Sequence, residues 1–426
     1  MATKALGNYG YATFGADPEF FFSDAAGQIV GSEKVLPEGG KLARPGSYGV
    51  VTCDGVQAEL TTTSGYSCRQ SMGHTIRGMF RELEPIMGAK GVKADFRPVV
   101  EVSREHLDTL SKESRILGCS PSFNIYDRPS ELLESINPEE YRKRSAGGHL
   151  HFSGEAGFRD PKRAVPLFDL LIGLPCVMLD RDPSMAERRQ LYGRAGEYRT
   201  PSATKNKGAD IEYRTLSNFW LRSFKLMHFV TGLGRLCASV LNEKREGELL
   251  SLVDRDAVIE AINTNDFDAA RKLWFALKPT LAEMEPYGSE SFNVPIWASM
   301  LPKFDALCDK GIEHYWPAST AVARWTQQVA SNGEYWGFEK WIAKQPAPPL
   351  VIAVAAPTTV ADIKPPTVTQ EGAPDRWTNT DRLRPTGDAA RGDLVAEQLN
   401  VKKSRRLPAR DARGRFQPRP AVQPSL

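Results

Sequence analysis

The chain has 426 residues, 41% of them hydrophobic and 25% charged, the balance of a soluble globular protein with room for a large domain and appendages. The N-terminus has no apolar core of the kind a signal peptide needs. The most apolar stretch, PLFDLLIGLPCVMLD (166–180), carries acids and is too short to span a bilayer, so no membrane segment is expected. The net charge of +3 is uneven: from Pro346 onward there are 13 Lys and Arg against 8 Asp and Glu, which leaves the body slightly acidic and the tail basic.

Taken in chain order, QIVGSEKVL, YGVVTCDGVQAEL and VVEVS read as strands by their apolar alternation. RQSMGHTIRGMFRELEPIMGAKG repeats its apolar residues at helical spacing and closes on glycine, so it reads as a helix. The stretch 166–180 reads as a buried helix, and LSNFWLRSFKLMHFVTGLGRLCASVLNE as a long central one, apolar on more than one face. Residues 250–345 read as further helices, rich in Trp and ending at EYWGFEKWIAKQ. The Pro/Ala/Thr-rich run from 346 cannot bury enough apolar surface to fold, and VKKSRRLPARDARGRFQPRP follows with eight basic residues and one acid. A disordered solubilising tail is the plain expectation; an arm for nucleic acid or another polyanion is the sharper one. The six cysteines form no CxxC pair and no zinc spacing, so they read as reduced, mostly buried thiols of a cytoplasmic protein.

Against this ordinary background stands GGHLHFSG (147–154), which places two of six histidines one residue apart. On a strand, positions i and i+2 share a face about 6.6 Å apart, so His149 and His151 are expected to point into one space. Four other segments repeat the pattern: Asp17 and Glu19 in GADPEFFF, Gln57 and Glu59 in CDGVQAEL, Glu197 and Arg199 in AGEYRT, Glu212 and Arg214 in DIEYRTLSNF. One such strand is an ordinary solvated sheet face. Five together combine carboxylates, imidazoles and arginines.

Carboxylates with a histidine suit a hard cation such as Mg²⁺ or Mn²⁺. Arginines match phosphate oxygens and stay charged at any working pH. The mixture fits a metal–nucleotide complex and phosphoryl transfer. There is no P-loop and no G-x-S-x-G elbow. His-x-His followed by Glu155 is similar to part of a cupin metal motif, but Lys143 and Lys162 stand where that motif has glycines.

The ordered set of segments resembles glutamine synthetase-like enzymes. GADPEFFFSDAAGQIV resembles their first active-site strand, DGVQAEL their Gly-x-Gly-Gln-x-Glu strand and GGHLHFS their His-x-His-x-Ser strand. RRQLYGRAGEYR with IEYRTLSNF resembles their arginine segment and terminal Glu-x-Arg strand. In detail the chain is most similar, over roughly residues 12–220, to the phage-encoded COOH–NH2 ligase type 2 family of the wider carboxylate–amine ligase superfamily. The resemblance implies an α+β fold with a curved, mainly antiparallel sheet backed by helices. It divides the chain into a catalytic core (1–245), a helical C-terminal part of the same domain (246–345) and a disordered tail (346–426). It implies ATP- and Mg²⁺- (or Mn²⁺-) dependent joining of a small-molecule or peptide carboxylate to an amine through an acyl phosphate.

Carried over by position, Glu19, Glu59 and Glu212 would hold divalent cations, with His149 as nitrogen ligand. Asp17, one methylene shorter than the family's glutamate, would bind metal through water or orient Glu19. His151 and Ser153 would approach the nucleotide phosphates, and Arg194, Arg199 and Arg214 the transferring γ-phosphate, with Arg194 also on the nucleotide. Glu197 is either a structural partner of an arginine or a ligand. Ser120, Ser122 and Asn124 alternate and are either substrate contacts or a plain polar strand face. Sites in the superfamily are sometimes completed by a neighbouring subunit, so an oligomer is compatible. Two other classes stay open: a catalytically inactive virion or assembly protein on the same fold, and a guanidino-type phosphotransferase. The latter predicts a reactive cysteine near the arginines.

Overall fold

The computed structural model describes residues 12–43, 49–62, 69–115, 122–127, 137, 140–200, 210–284, 304 and 307–326. All of them lie in the first of two units, Met1–Thr378; the second, Asn379–Leu426, lies outside the described residues, and with it the basic end of the chain. The tail, Ser120 and the segment EYWGFEKWIAKQ therefore carry expectations that fall outside the described residues.

Thirteen short strands alternate with helices among the described residues. The first sheet contains β1 (Thr13–Ala16), β9 (Phe123–Asn124), β11 (Leu150–Ser153), β12 (Glu197–Arg199) and β13 (Ile211–Tyr213), in the order β1-β11-β13-β12-β9. The second contains β2 (Glu19–Ser23), β3 (Ile29–Val30), β4 (Lys41–Ala43), β5 (Gly49–Asp54), β6 (Gln57–Thr62) and β7 (Lys93–Asp95). Its order is β3-β2-β6-β5-β4, with β7 also on β2. A third pair joins β8 (Val99–Glu101) to β10 (Lys143–Ser145). All these pairings are antiparallel, the strand layer is curled, and the fold is α+β.

The two larger sheets meet at one corner. β1 ends at Ala16, Asp17 and Pro18 fall between strands, and β2 starts at Glu19 in the other sheet. Proline lacks an N–H to pair and biases the residue before it towards extended backbone, which suits a sheet switch. Ala16 N donates to Thr62 Oγ1 (2.8 Å), which donates back to Ala16 O (3.0 Å), and Leu60 N donates to Pro18 O (2.9 Å). These bonds stitch β6 to the corner.

Alternation sorts the two faces of the first sheet. Leu150, Phe152, Ile211 and Tyr213 face helices, with Phe152 stacked on Phe168 at 4.5 Å between ring centroids and Phe14 edge-on at 5.6 Å. His151, Glu212 and Arg199 lie opposite one another across the other face. The apolar stretch 166–180 forms the buried helix expected of it, interrupted by a π-helical turn, Asp169–Gly173, between Pro161–Phe168 and Leu174–Leu179. Asp169 lies within it, fully buried, and accepts hydrogen bonds from Tyr213 (2.7 Å) and Tyr126 (2.9 Å). Burial pushes its carboxyl up to about 7.

The helix Arg69–Lys90 forms as its periodicity predicts and ends on Gly91 at φ +65°. Two expectations need correction. QIVGSEKVL is not one strand: β3 stops at Val30 and Ser32–Val35 turn into a short helix. The central helix does not begin near Leu216. Asn218–Arg222 are a 3₁₀ turn, Ser223 is extended and caps Leu226 N (3.1 Å), and the helix runs Phe224–Asn242, buried throughout Leu226–Leu241. Helices follow at Glu246–Leu250, Arg255–Asn263, Phe267–Met284, Ile312–Tyr315 and Ala321–Thr326. Trp325 of the last is buried beside Phe80 and donates to Leu221 O at 2.6 Å. No described helix is long and apolar enough to cross a membrane. Four cysteines are described, all free: Cys53 is half-buried, and Cys176, Cys237 and Cys308 are buried.

Candidate functional site

The sheet corner brings two groups of ligand-type side chains together. The first is Asp17, His149 and Glu212, and the second is Glu19, Asp54 and Glu59; within each, the ligand atoms lie within 4.8 Å of one another.

In the first group both histidines reach Asp17, as their shared face predicts. His149 Nδ1 and His151 Nε2 each lie 3.3 Å from Asp17 Oδ1. Asp17 is thus not a marginal substitute for a glutamate but the common partner of the two imidazoles. Burial alone would raise its carboxyl, but the charge of His151, then contact with His149, holds it well below the usual carboxylate range. The same surroundings split the histidines. Burial, then the Arg214 guanidinium, pushes His149 down to about 3, so the imidazole is neutral. Burial opposes charge on His151 too and is the largest single influence, but Asp17, Glu212 and Glu59 together outweigh it and raise its pKa. Glu212 Oε1 completes the group, 3.6 Å from His149 Nδ1, 2.9 Å from Arg214 Nη1 and 3.5 Å from Arg199 Nη1.

In the second group Glu19 and Glu59 are direct cross-strand partners. Asp54 ends β5 at a two-residue hairpin loop that opens with Gly55 at φ +64°. Glu19 Oε2 accepts from Gly147 N (2.7 Å) and from the Tyr192 hydroxyl (2.9 Å), and Glu59 Oε1 accepts from Thr61 Oγ1 (2.7 Å). Burial, with nearby carboxylates adding to it, pushes Glu19 up to about 7 and Glu59 up to about 8. Three carboxyls so close, Glu19 buried and Asp54 and Glu59 half-buried, repel one another unless protons or a cation intervene.

Gly147 and Gly148 explain their place before the histidines. A Cβ on Gly147 would stand 2.3 Å from His149 Nε2, a nitrogen with no hydrogen-bond partner, so the Nε2 end of the imidazole needs the missing side chain, while Nδ1 lies towards Asp17 and Glu212. A Cβ on Gly148 would stand 2.1 Å from Ser217 O. Gly148 N instead donates to Leu216 O (2.9 Å), and its carbonyl accepts from Trp220 Nε1 (3.0 Å). Behind this segment the fully buried Arg188 donates to Ala146 O (3.1 Å), Thr215 O (3.1 Å) and Leu216 O (2.8 Å).

The remaining predicted residues separate. Glu197 accepts from Gly193 N (2.9 Å) and Arg194 N (3.2 Å) through its two oxygens, capping the turn into β12. Arg194 is held there through its backbone, its carbonyl accepting from Thr215 Oγ1 (2.9 Å). Ser153 closes β11 and accepts from Asp210 N (3.2 Å). Gln57 donates to Ser145 O (3.3 Å), tying the second sheet to β10. Asn124 spends its amide on Ala195 O (2.9 Å) and Tyr126 N (2.9 Å), the bonds of a turn. Asp54, Tyr192 and Arg188 were not singled out from the sequence. Asp54 reads there as half of an Asp-Gly turn, and Tyr192 and Arg188 lie unmarked inside RRQLYGR.

A curled antiparallel sheet with carboxylates, imidazoles and arginines gathered at one corner has the parts of a carboxylate–amine ligase. Residues 135–311 match the family described as phage phiEco32-like COOH.NH2 ligase-type 2, and over that stretch the chain is similar to this ligase family. The matched stretch holds His149, His151, Arg194, Arg199, Glu212 and Arg214, and Asp17, Glu19 and Glu59 precede it. No curated protein matches the chain.

Proposed function

We propose that the protein joins a carboxylate to an amine at the expense of ATP, with Mg²⁺ or Mn²⁺, through an acyl phosphate. The observation that carries this reading is the pair of cation-ready groups at one corner, with two arginine guanidiniums within 3.5 Å of their shared neighbour Glu212. The donor sets fit hard divalent cations: a neutral imidazole with two carboxylates in one, three carboxylates in the other. Bound there, such cations neutralise and align phosphate oxygens.

The side chains supply the rest. Asp17, His149 and Glu212 hold one cation, and Glu19, Asp54 and Glu59 the other. His151 and Ser153, on the same strand face, approach the nucleotide phosphates. Arg194, Arg199 and Arg214 receive the γ-phosphate. A carboxylate oxygen attacks the γ-phosphorus and ADP leaves. The amine nitrogen then attacks the acyl carbon, phosphate leaves, and the amine gives up a proton. Arginines suit both steps because their charge does not titrate and their fork matches phosphate oxygens. Among the described cysteines, the thiols of Cys53, Cys176 and Cys237 are pushed up by burial, the reverse of the activated cysteine that a guanidino-type phosphotransferase would use.

Thermal unfolding with and without Mg²⁺ and a non-hydrolysable ATP analogue tests the reading without knowledge of the carboxylate or amine. Nucleotide at a hundredfold over its Kd adds about 2.7 kcal/mol, a rise of several degrees that requires the metal. No shift under any combination of metal and nucleotide sinks the ATP-dependent mechanism and favours an inactive assembly role.

A further inference from the structure

Resting on that cation-site reading, we infer that Tyr192 is a positioning residue that fixes which oxygen of Glu19 is offered to the second cation group. Glu19 is 3% exposed, and its two oxygens have different surroundings. Oε2 is occupied twice, by Gly147 N at 2.7 Å and the Tyr192 hydroxyl at 2.9 Å. That leaves Oε1 as the oxygen to offer to a cation shared with Asp54 and Glu59. The Tyr192 oxygen also lies 3.2 Å from Ser145 O, but its single proton goes to the nearer, carboxylate acceptor.

Tyr192 is itself held by a rigid support. The Arg188 guanidinium lies 4.5 Å from its ring centroid and is anchored by three backbone carbonyls, those of Ala146, Thr215 and Leu216. Ala146 leads into the segment of His149, and Thr215 and Leu216 follow Arg214. The Tyr192 ring also meets the His149 ring edge-on at 6.0 Å. The hydroxyl on Glu19 is therefore set from the same backbone that carries the first cation group. Donors that orient a metal-binding carboxylate without touching the metal typically govern affinity 10- to 100-fold.

The test is calorimetric titration of the full chain with Mn²⁺ alone, for wild type, Tyr192→Phe, Glu19→Gln and the double variant. Tyr192→Phe removes one hydroxyl and keeps the ring on Arg188, so the fold is retained, which circular dichroism checks. The expected result is a roughly 10- to 100-fold weaker affinity at the second group, with the first unchanged, and no further loss when Tyr192→Phe is added to Glu19→Gln. Affinities equal to wild type overturn the proposal, as does an equal loss in the Glu19→Gln background. Arg188→Lys is the second arm: it loses the fork beneath the ring, weaker Mn²⁺ at the same group supports the role, and unchanged binding counts against it. A wild type that takes up no Mn²⁺ removes the cation reading itself, a different failure from a wild type and Tyr192→Phe that bind alike.

Discussion

Glu212→Gln lowers the melting temperature by roughly 10 °C and abolishes the nucleotide-dependent rise. One oxygen of Glu212 serves Arg214 at 2.9 Å and Arg199 at 3.5 Å in a region where Glu212 and Arg214 are almost wholly buried. The amide keeps the size of the side chain but removes its charge, leaving two guanidiniums beside a neutral group. Removing one partner of a buried pair costs about 3–5 kcal/mol. At about 2–4 °C per kcal/mol, that gives the stated fall. The same oxygen lies 3.6 Å from His149 Nδ1, so the first cation group loses a ligand in the same step. Differential scanning calorimetry of both proteins, with and without Mg²⁺ and the ATP analogue, measures the two effects together. A variant that melts within 2 °C of wild type and still responds to nucleotide contradicts the assigned role.

The second large effect is a fall in stability with rising pH in the cation-free protein. Glu19 and Glu59 are pushed from 4.5 to about 7 and about 8, so the folded chain keeps protons that the unfolded chain has already released. Their contribution is complete at low pH and is lost as pH rises through 7 and 8. Asp169, raised to about 7, acts in the same direction. His149, lowered to about 3, acts oppositely, but only between about pH 3 and its unfolded value of 6.5. Above pH 6.5 His151, raised from its ordinary value, adds to the fall that the carboxyls produce. At about 1.4 kcal/mol per pH unit per group, urea unfolding in EDTA loses on the order of 2–3 kcal/mol between pH 6.5 and 8.5. A divalent cation takes the place of those protons, so its stabilisation grows over the same interval and flattens the curve. Stability in EDTA that is level or rising across this range contradicts the burial of three unneutralised carboxyls.

Much of the site was legible because strands alternate. His149 and His151 share a face and a partner, and Glu59, Glu212 and Arg199 fall where period two puts them. The α+β class came instead from the resemblance of the ordered segments to glutamine synthetase-like enzymes. What the alternation could not show was the corner. Asp17 and Glu19, two residues apart, read as one strand face, but Asp17 falls between the two sheets and Glu19 opens the second, because Pro18 breaks the ladder between them. Asp54 was hidden by its turn chemistry: the Asp-Gly pair that makes a hairpin tip also carries a ligand-type carboxylate back beside Glu19. Tyr192 and Arg188 act through contacts made over long sequence separations, to Glu19 and to three backbone carbonyls. No local period marks such contacts. The short helix at Ser32–Val35 and the late start at Phe224 depend on single residues, Gly31 and Ser223, that stop one hydrogen-bond pattern and allow another. Glu197 shows the converse: a well-placed carboxylate whose acceptors are already spent on a turn.

Counting bound Mn²⁺ by electron paramagnetic resonance tests the two-group site most directly. Two ions per wild-type chain are expected, with mutual broadening because the groups adjoin, and one ion in each of Glu59→Gln and Glu212→Gln. A single ion in wild type, or two ions retained in both variants, contradicts the account.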